Sequence, residues 1–290
     1  MSAIYRSAEG ERLVRERYLQ FLARWPVPND QRYLDTREGK TFVVVCGPEG
    51  APSVILLHGA GFNSVTWMGD VVEWSKHFRL YAVDLIGHPG FSAPSRPPYE
   101  TEAHALWLDD VMAGLGIDRA AFVGLSLGGW TAIDYAARRS GRVQGLALLA
   151  PGGVGRQLLT MPKLMLVVLP LTVMGKWGRR KALEMVLGPT QQDDSPAAKA
   201  FEDFLSLINR HFRPRLDKLP VFSDETLKSL TMPGLLIVGM QDPLLSSPET
   251  IARLKQNAPH VEIVALPDIG HAVVNQTKPV LDFLRRVSGG

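Results

Sequence analysis

Residues 121–130 read Ala-Phe-Val-Gly-Leu-Ser-Leu-Gly-Gly-Trp, and they constrain the fold more than any other part of the chain. Residues 119–123 predict a short buried strand. Residues 127–139 predict a helix, with Trp130, Ile133 and Ala137 at helical spacing. Between them lies G-x-S-x-G, centred on Ser126. A strand that turns this sharply into a helix holds its middle residue in a strained backbone conformation, and glycine on both sides lets strand and helix approach. The Ser126 hydroxyl is then presented at the carboxyl edge of a sheet, near the positive end of a helix dipole. There it can attack a carbonyl, and the resulting anion is stabilised. Alone the motif says little, because the chain has 27 glycines and a plain glycine-rich turn reads the same. Its weight depends on partners elsewhere.

Around this stretch the chain alternates strand and helix. Residues 8–25 predict an amphipathic helix with Leu13, Tyr18, Leu19 and Leu22 on one side, closed by Pro26 and Pro28. Residues 31–36 and 41–46 predict a hairpin, turning at 37–40. Strands follow at 53–58, 79–84 and 142–150, with helices at 68–77 and 101–115 and a proline-rich loop at 85–99. After Pro151-Gly152-Gly153 the alternation stops. Residues 154–232 show helical segments, at 176–187 and 197–212, but no strand–helix rhythm. It resumes with a strand at 233–239, a helix at 248–257, a strand at 261–266 and a helix at 276–287. The expected architecture is α/β: a mostly parallel, eight-stranded sheet with helices on both faces. Residues 1–153 and 233–290 form the core domain, and 154–232 form an inserted helical cap.

Composition narrows the function classes. The chain has 290 residues, 46% hydrophobic and 21% charged, which suits one large α/β domain with an insertion. A net charge of +3, without a long basic run, argues little for nucleic acid. The longest apolar run, 164–174, is short and contains Pro170, so no membrane span is expected. Residues 1–10 lack an apolar signal core, and the default location is cytoplasmic. The single cysteine, Cys46, excludes an intrachain disulfide and sits in an apolar strand. No His, Cys, Asp or Glu cluster has metal spacing, and Gly59-Ala60-Gly61 is not a dinucleotide fingerprint. Neither metal nor cofactor is expected, and the oligomeric state is left open.

Acyl transfer from a serine needs a base, an orienting acid and two oxyanion donors. Both titratable partners are present, each in a loop after a late strand: Asp242 after 235–239, and His271 after 262–266. The carboxyl ends of parallel strands share one sheet edge, so Asp242 and His271 can meet Ser126 there. Asp268, three residues before His271, is the competing carboxylate. So short a loop points it outward.

On four ordered motifs the chain resembles an α/β-hydrolase-fold serine esterase along roughly its whole length. The motifs are His58-Gly59-Ala60-Gly61, the loop from Asp84 to Ser92, the Ser126 elbow, and Asp242 with Gly270-His271. The second departs from the usual D-x-x-G-x-G-x-S by one residue, Pro89. The resemblance implies that Ser126 is the nucleophile, His271 the base and then acid, and Asp242 the group that holds the imidazole tautomer. It implies that the backbone N–H groups of Ala60 and Leu127 receive the oxyanion. It also implies that 154–232 roofs the pocket. The apolar run 164–174 reads either as plain cap core or as partly facing the pocket, with Leu166, Leu171 and Met174 as the expected pocket residues. His58, His88 and Asp84 read as residues that brace their loops.

The expected partner is a small-molecule ester with a small to medium apolar acyl group. Hydrolysis of C–C bonds, lactones or thioesters, or a triad-retaining receptor with slow turnover, would use the same residues. Epoxide hydrolases and haloalkane dehalogenases of this fold are disfavoured, because their nucleophile is Asp.

Overall fold

A computed structural model describes residues 4–159, 178, 181, 188, 195–273 and 275–289. Its strands are β1 (Asn29–Thr36), β2 (Gly39–Cys46), β3 (Ser53–Leu57), β4 (Arg79–Val83), β5 (Ala120–Leu125), β6 (Val143–Leu149), β7 (Gly234–Gly239) and β8 (Glu262–Leu266). They form one eight-stranded sheet in the order β1-β2-β4-β3-β5-β6-β7-β8. β1 and β2 are antiparallel, as are β2 and β4; the other neighbours are parallel.

The central strands are apolar on both faces because both faces are covered. In β5, Phe122 joins one buried cluster and Ala121 and Val123 the other. Helices α3 (Ala103–Leu115) and α4 (Leu127–Arg138), with the helix Ser247–Asn257, cover the first face. Helices α1 (Ala8–Leu22) and α2 (Val71–Trp74), with the helix Thr277–Val287, cover the second. Each fully buried Leu, Ile, Val or Phe in these layers contributes roughly 1.5–3 kcal/mol.

Two local expectations differ from the structure. The helix at 68–77 is a 3-10 turn, Ser64–Trp67, followed by the single turn of α2. Asn63 caps the turn by accepting the Val65 N–H, so helix starts earlier and ends at the Met68 C-cap. In α1 the buried residues are Gly10, Val14, Tyr18 and Leu22, whereas Leu19 is half exposed. The buried stripe centres on Tyr18, which packs on Phe42, Phe91 and Phe204.

The chain leaves β6 along the loop after β7: Leu158 N–H donates to Leu244 O, and Gly155 N–H to Thr250 Oγ1. It returns through the helix Pro196–His211, which lies on α1 and not on the sheet. Phe204 of that helix is fully buried between Phe21 and Phe62, with ring centroids 5.1 and 5.7 Å away. Phe62 directly follows His58–Gly61, so the helix rests beside the sheet edge where the serine sits. Among the described residues no helix is long and apolar enough to cross a membrane.

Candidate active site

Ser126 lies between β5 and α4 with φ 52° and ψ −109°. A non-glycine residue there carries about 1–3 kcal/mol of strain. The surroundings hold it in place. Ser126 N–H donates to Leu149 O at 2.9 Å, and Ser126 O accepts Trp130 N–H and Gly152 N–H, both at 3.0 Å. A Cβ on Gly128 would run into the carbonyls of Leu57 and His58, so strand β3 reaches its position only against glycine.

The loops after β7 and β8 pack together in the same way. A Cβ on Gly239 would overlap the carbonyls of Ile269 and Gly270, and Gln241 N–H donates to Ile269 O at 3.0 Å. This approach sets Asp242 Oδ2 2.7 Å from His271 Nδ1. His271 Nε2 is 3.0 Å from Ser126 Oγ. Asp242 Oδ1 accepts the N–H groups of Leu244 and Leu245 at 2.8 and 3.0 Å, which fixes the carboxylate. With Nδ1–H donated to Asp242, Nε2 is left to accept from the serine hydroxyl. Asp242 and His271 are both buried, whereas Asp268 is exposed. The structure therefore brings together Ser126, Asp242 and His271, and leaves Asp268 out.

The N–H groups of Ala60 and Leu127 donate to no described residue. Their loops adjoin the serine: a Cβ built on Gly59 would lie 3.7 Å from Ser126 Cβ. His58 and His88 hold the 58–61 loop. His58 Nδ1 faces Gly59 O at 2.8 Å, and its Nε2 accepts Leu85 N–H at 2.9 Å. His88 Nδ1 accepts Gly61 N–H at 3.0 Å. Burial pushes both imidazoles below the ordinary histidine range, most strongly at His88, where nearby cationic groups add to it. Asp84, fully buried, accepts from Tyr18 Oη, Ser64 N–H, Ser64 Oγ and Phe91 N–H. It thus ties α1, the 3-10 turn and its own loop together. Among the described residues no group of three or more His, Cys, Asp or Glu is placed to hold a metal ion.

Residues 54–285 match the family model described as the alpha/beta hydrolase family. The chain belongs to the alpha/beta hydrolase family. Within the family it is 31% identical to carboxylesterase YbfK of Bacillus subtilis over 281 residues, 92% of each chain. The crystal structure of that carboxylesterase superposes with a TM-score of 0.79 over 98% of this chain and 100% of the other. The naproxen esterase (carboxylesterase NP) of the same bacterium is similar to the same degree. It has 30% identity and a TM-score of 0.79, with 97% and 98% of the two chains covered.

Local motifs carried Ser126, Asp242 and His271 in the sequence. The links to Gly61 and Phe62 had no such signal, because they join segments far apart in the chain. Leu166, Leu171 and Met174 lie outside the described residues, as does most of the expected helix at 176–187. Gly188 is described; a Cβ there would press on Gly270 Cα at 2.7 Å, so this part of the 154–232 block touches the His271 loop.

Proposed function

We propose that this chain is a carboxylic-ester hydrolase that works through an acyl-enzyme on Ser126. One observation carries the reading: Ser126 Oγ, His271 Nε2 and Asp242 Oδ2 form one chain of 3.0 and 2.7 Å contacts, beside two N–H groups without a described acceptor. His271 Nε2 takes the hydroxyl proton as Ser126 Oγ attacks the ester carbonyl. The N–H groups of Ala60 and Leu127 receive the oxyanion, and Asp242 stabilises the imidazolium. His271 then gives the proton to the leaving alkoxide, so the alcohol departs and the acyl group stays on Ser126. A water activated by the same imidazole releases the acid.

Family membership and the likeness to two carboxylesterases support ester hydrolysis over the other chemistries of the fold. The block 154–232 is proposed to be the unit that covers Ser126 and selects small to medium apolar acyl groups. The position of Phe62 under the helix Pro196–His211 supports this, and Leu166, Leu171 and Met174 are the proposed selectors.

A p-nitrophenyl acyl series, with a lactone and a thioester beside it, tests the reading. Multiple turnover is expected on the esters, with mass from a phosphonate ester added on Ser126 alone and no turnover in Ser126→Ala. Turnover by that variant, or wild-type preference for the lactone or thioester, would overturn the reading.

A further inference from the structure

We propose that His88 is a positioning residue for the oxyanion site: by accepting the Gly61 N–H it sets, jointly with His58, the direction of the Ala60 N–H. This rests on the esterase reading above.

Each peptide unit is planar, so the Gly59 carbonyl and the Ala60 N–H point in opposite directions along one rigid plane. His58 Nδ1 at 2.8 Å from Gly59 O fixes that plane. The next plane, from Ala60 to Gly61, is fixed by the bond from Gly61 N–H to His88 Nδ1. Gly61 has φ 72°, which glycine adopts as readily as negative φ, so the bond to His88 and not the residue's own preference holds this plane. Ala60 is thus the single residue between two clamped planes, and its N–H has no described partner to hold it by itself.

The two imidazoles grip by opposite chemistry. His58 Nδ1 meets a carbonyl and must carry a proton, while its Nε2 meets the Leu85 N–H and must not. His88 Nδ1 meets an N–H and must be bare. A second proton on His88 would set two N–H groups against each other.

The fixed charges facing His88 oppose that proton. They are Arg96 on the loop after β4 and Arg215 after the helix Pro196–His211, and the uncharged rings of His58, on the 58–61 loop, and His104, on α3, complete the surroundings. The two guanidiniums are held in place. Arg96 donates to Gly87 O and Arg213 O and lies over Phe212, whose ring is 6.1 Å from that of His88. Arg215 donates to Pro97 O and lies 3.7 Å over the Tyr99 ring. Its described carboxylate, Asp217, is mostly exposed. This cation cluster borders the cavity behind Leu127. It takes no part in the proton transfers of the triad, and its effect is to leave His88 Nδ1 free to accept.

Three substitutions test the proposal on a short p-nitrophenyl ester. His88→Leu removes the acceptor. Asn places Oδ1 where Nδ1 stands, and Gln places its acceptor one atom too far. In His88→Leu kcat is expected to fall about 10- to 100-fold, the range below or at the loss of a whole oxyanion donor, with KM within about twofold. The Ki of a trifluoromethyl ketone, which builds an oxyanion on Ser126, should rise by a similar factor. His88→Asn should recover most of both. If His88→Leu does not fold, His88→Gln takes its place. A folded Leu or Gln variant with wild-type kcat, a loss of kcat with unchanged ketone affinity, or an Asn variant no better than Leu overturns the proposal. Turnover in Ser126→Ala would instead overturn the serine reading itself, so the two failures are distinct.

Discussion

At Ser126, backbone strain and chemistry compete. Its φ of 52° suits glycine better than serine. Ser126→Gly should therefore abolish ester hydrolysis and yet stabilise the fold by about 1 kcal/mol, a rise of roughly 2 °C in Tm. Calorimetry of the inactive variant checks this, and a lower Tm would show that the hydroxyl's contact with His271 outweighs the strain. The acid is separable in the same manner. Asp242→Asn should lower kcat by about 10⁴, because Asp242 Oδ2 lies on His271 Nδ1 and an amide there favours the wrong tautomer. Asp268→Asn should leave kcat within about twofold. These three positions were legible because each sits in a short motif at a strand end. His88 was legible only as a loop-bracing residue. Its contact with Gly61 spans 27 positions, and no local spacing encodes it.

The elements were legible where an apolar pattern is bounded by turn residues, as in α3, α4, β5 and β7, whose bounds lie within two residues or so of expectation. They were less so where a side-chain cap decides, as with Asn63, or where the packing partner comes from afar, as with Leu19. The root of the 154–232 block was not legible at all. Arg253, on the helix Ser247–Asn257, donates to Val154 O at 2.6 Å, to Phe222 O at 2.7 Å and to Asp224 Oδ1 at 2.5 Å. One guanidinium thus holds both the departing and the returning strand of the block. Arg253→Met should open that root, so limited proteolysis should cut within 154–222 at least several-fold faster than in wild type. Cleavage at the wild-type rate would show that the contacts of Phe204 and Trp130 suffice. Trp130 also pins the return, donating to Pro220 O at 3.1 Å and stacking on Phe222.

Across the whole molecule, the buried imidazoles set the response to acid. His58, His88 and His104 are all held below the ordinary histidine range by burial, His104 to about 4. Below about pH 6.5 the unfolded chain takes up protons at these positions before the folded one does. Stability is therefore lost as pH falls, at up to about 4 kcal/mol per pH unit for three such groups. Asp70 works the other way. Burial raises its carboxyl to about 6, so between that value and the ordinary carboxylate range the folded state holds the extra proton and gains stability as pH falls. Urea midpoints at pH 7.5, 6.0 and 5.0 should drop steeply for the wild type, and more steeply for Asp70→Asn, which loses the opposing contribution. A flat series would mean that the imidazoles charge within the fold.

The strand order has a consequence for a chain still being made. The serine elbow is held by β3, β5, β6 and the Gly152 N–H, which lie in the first 152 residues. Its proposed base, His271, lies 145 positions beyond the serine, on the loop after β8, the strand at the far edge of the sheet. A half-emerged polypeptide can thus hold a shaped but inert hydroxyl. On the proposed triad, reactivity would arrive only when the last parallel strand docks, so copies clipped before β8 are expected to leave esters around them untouched.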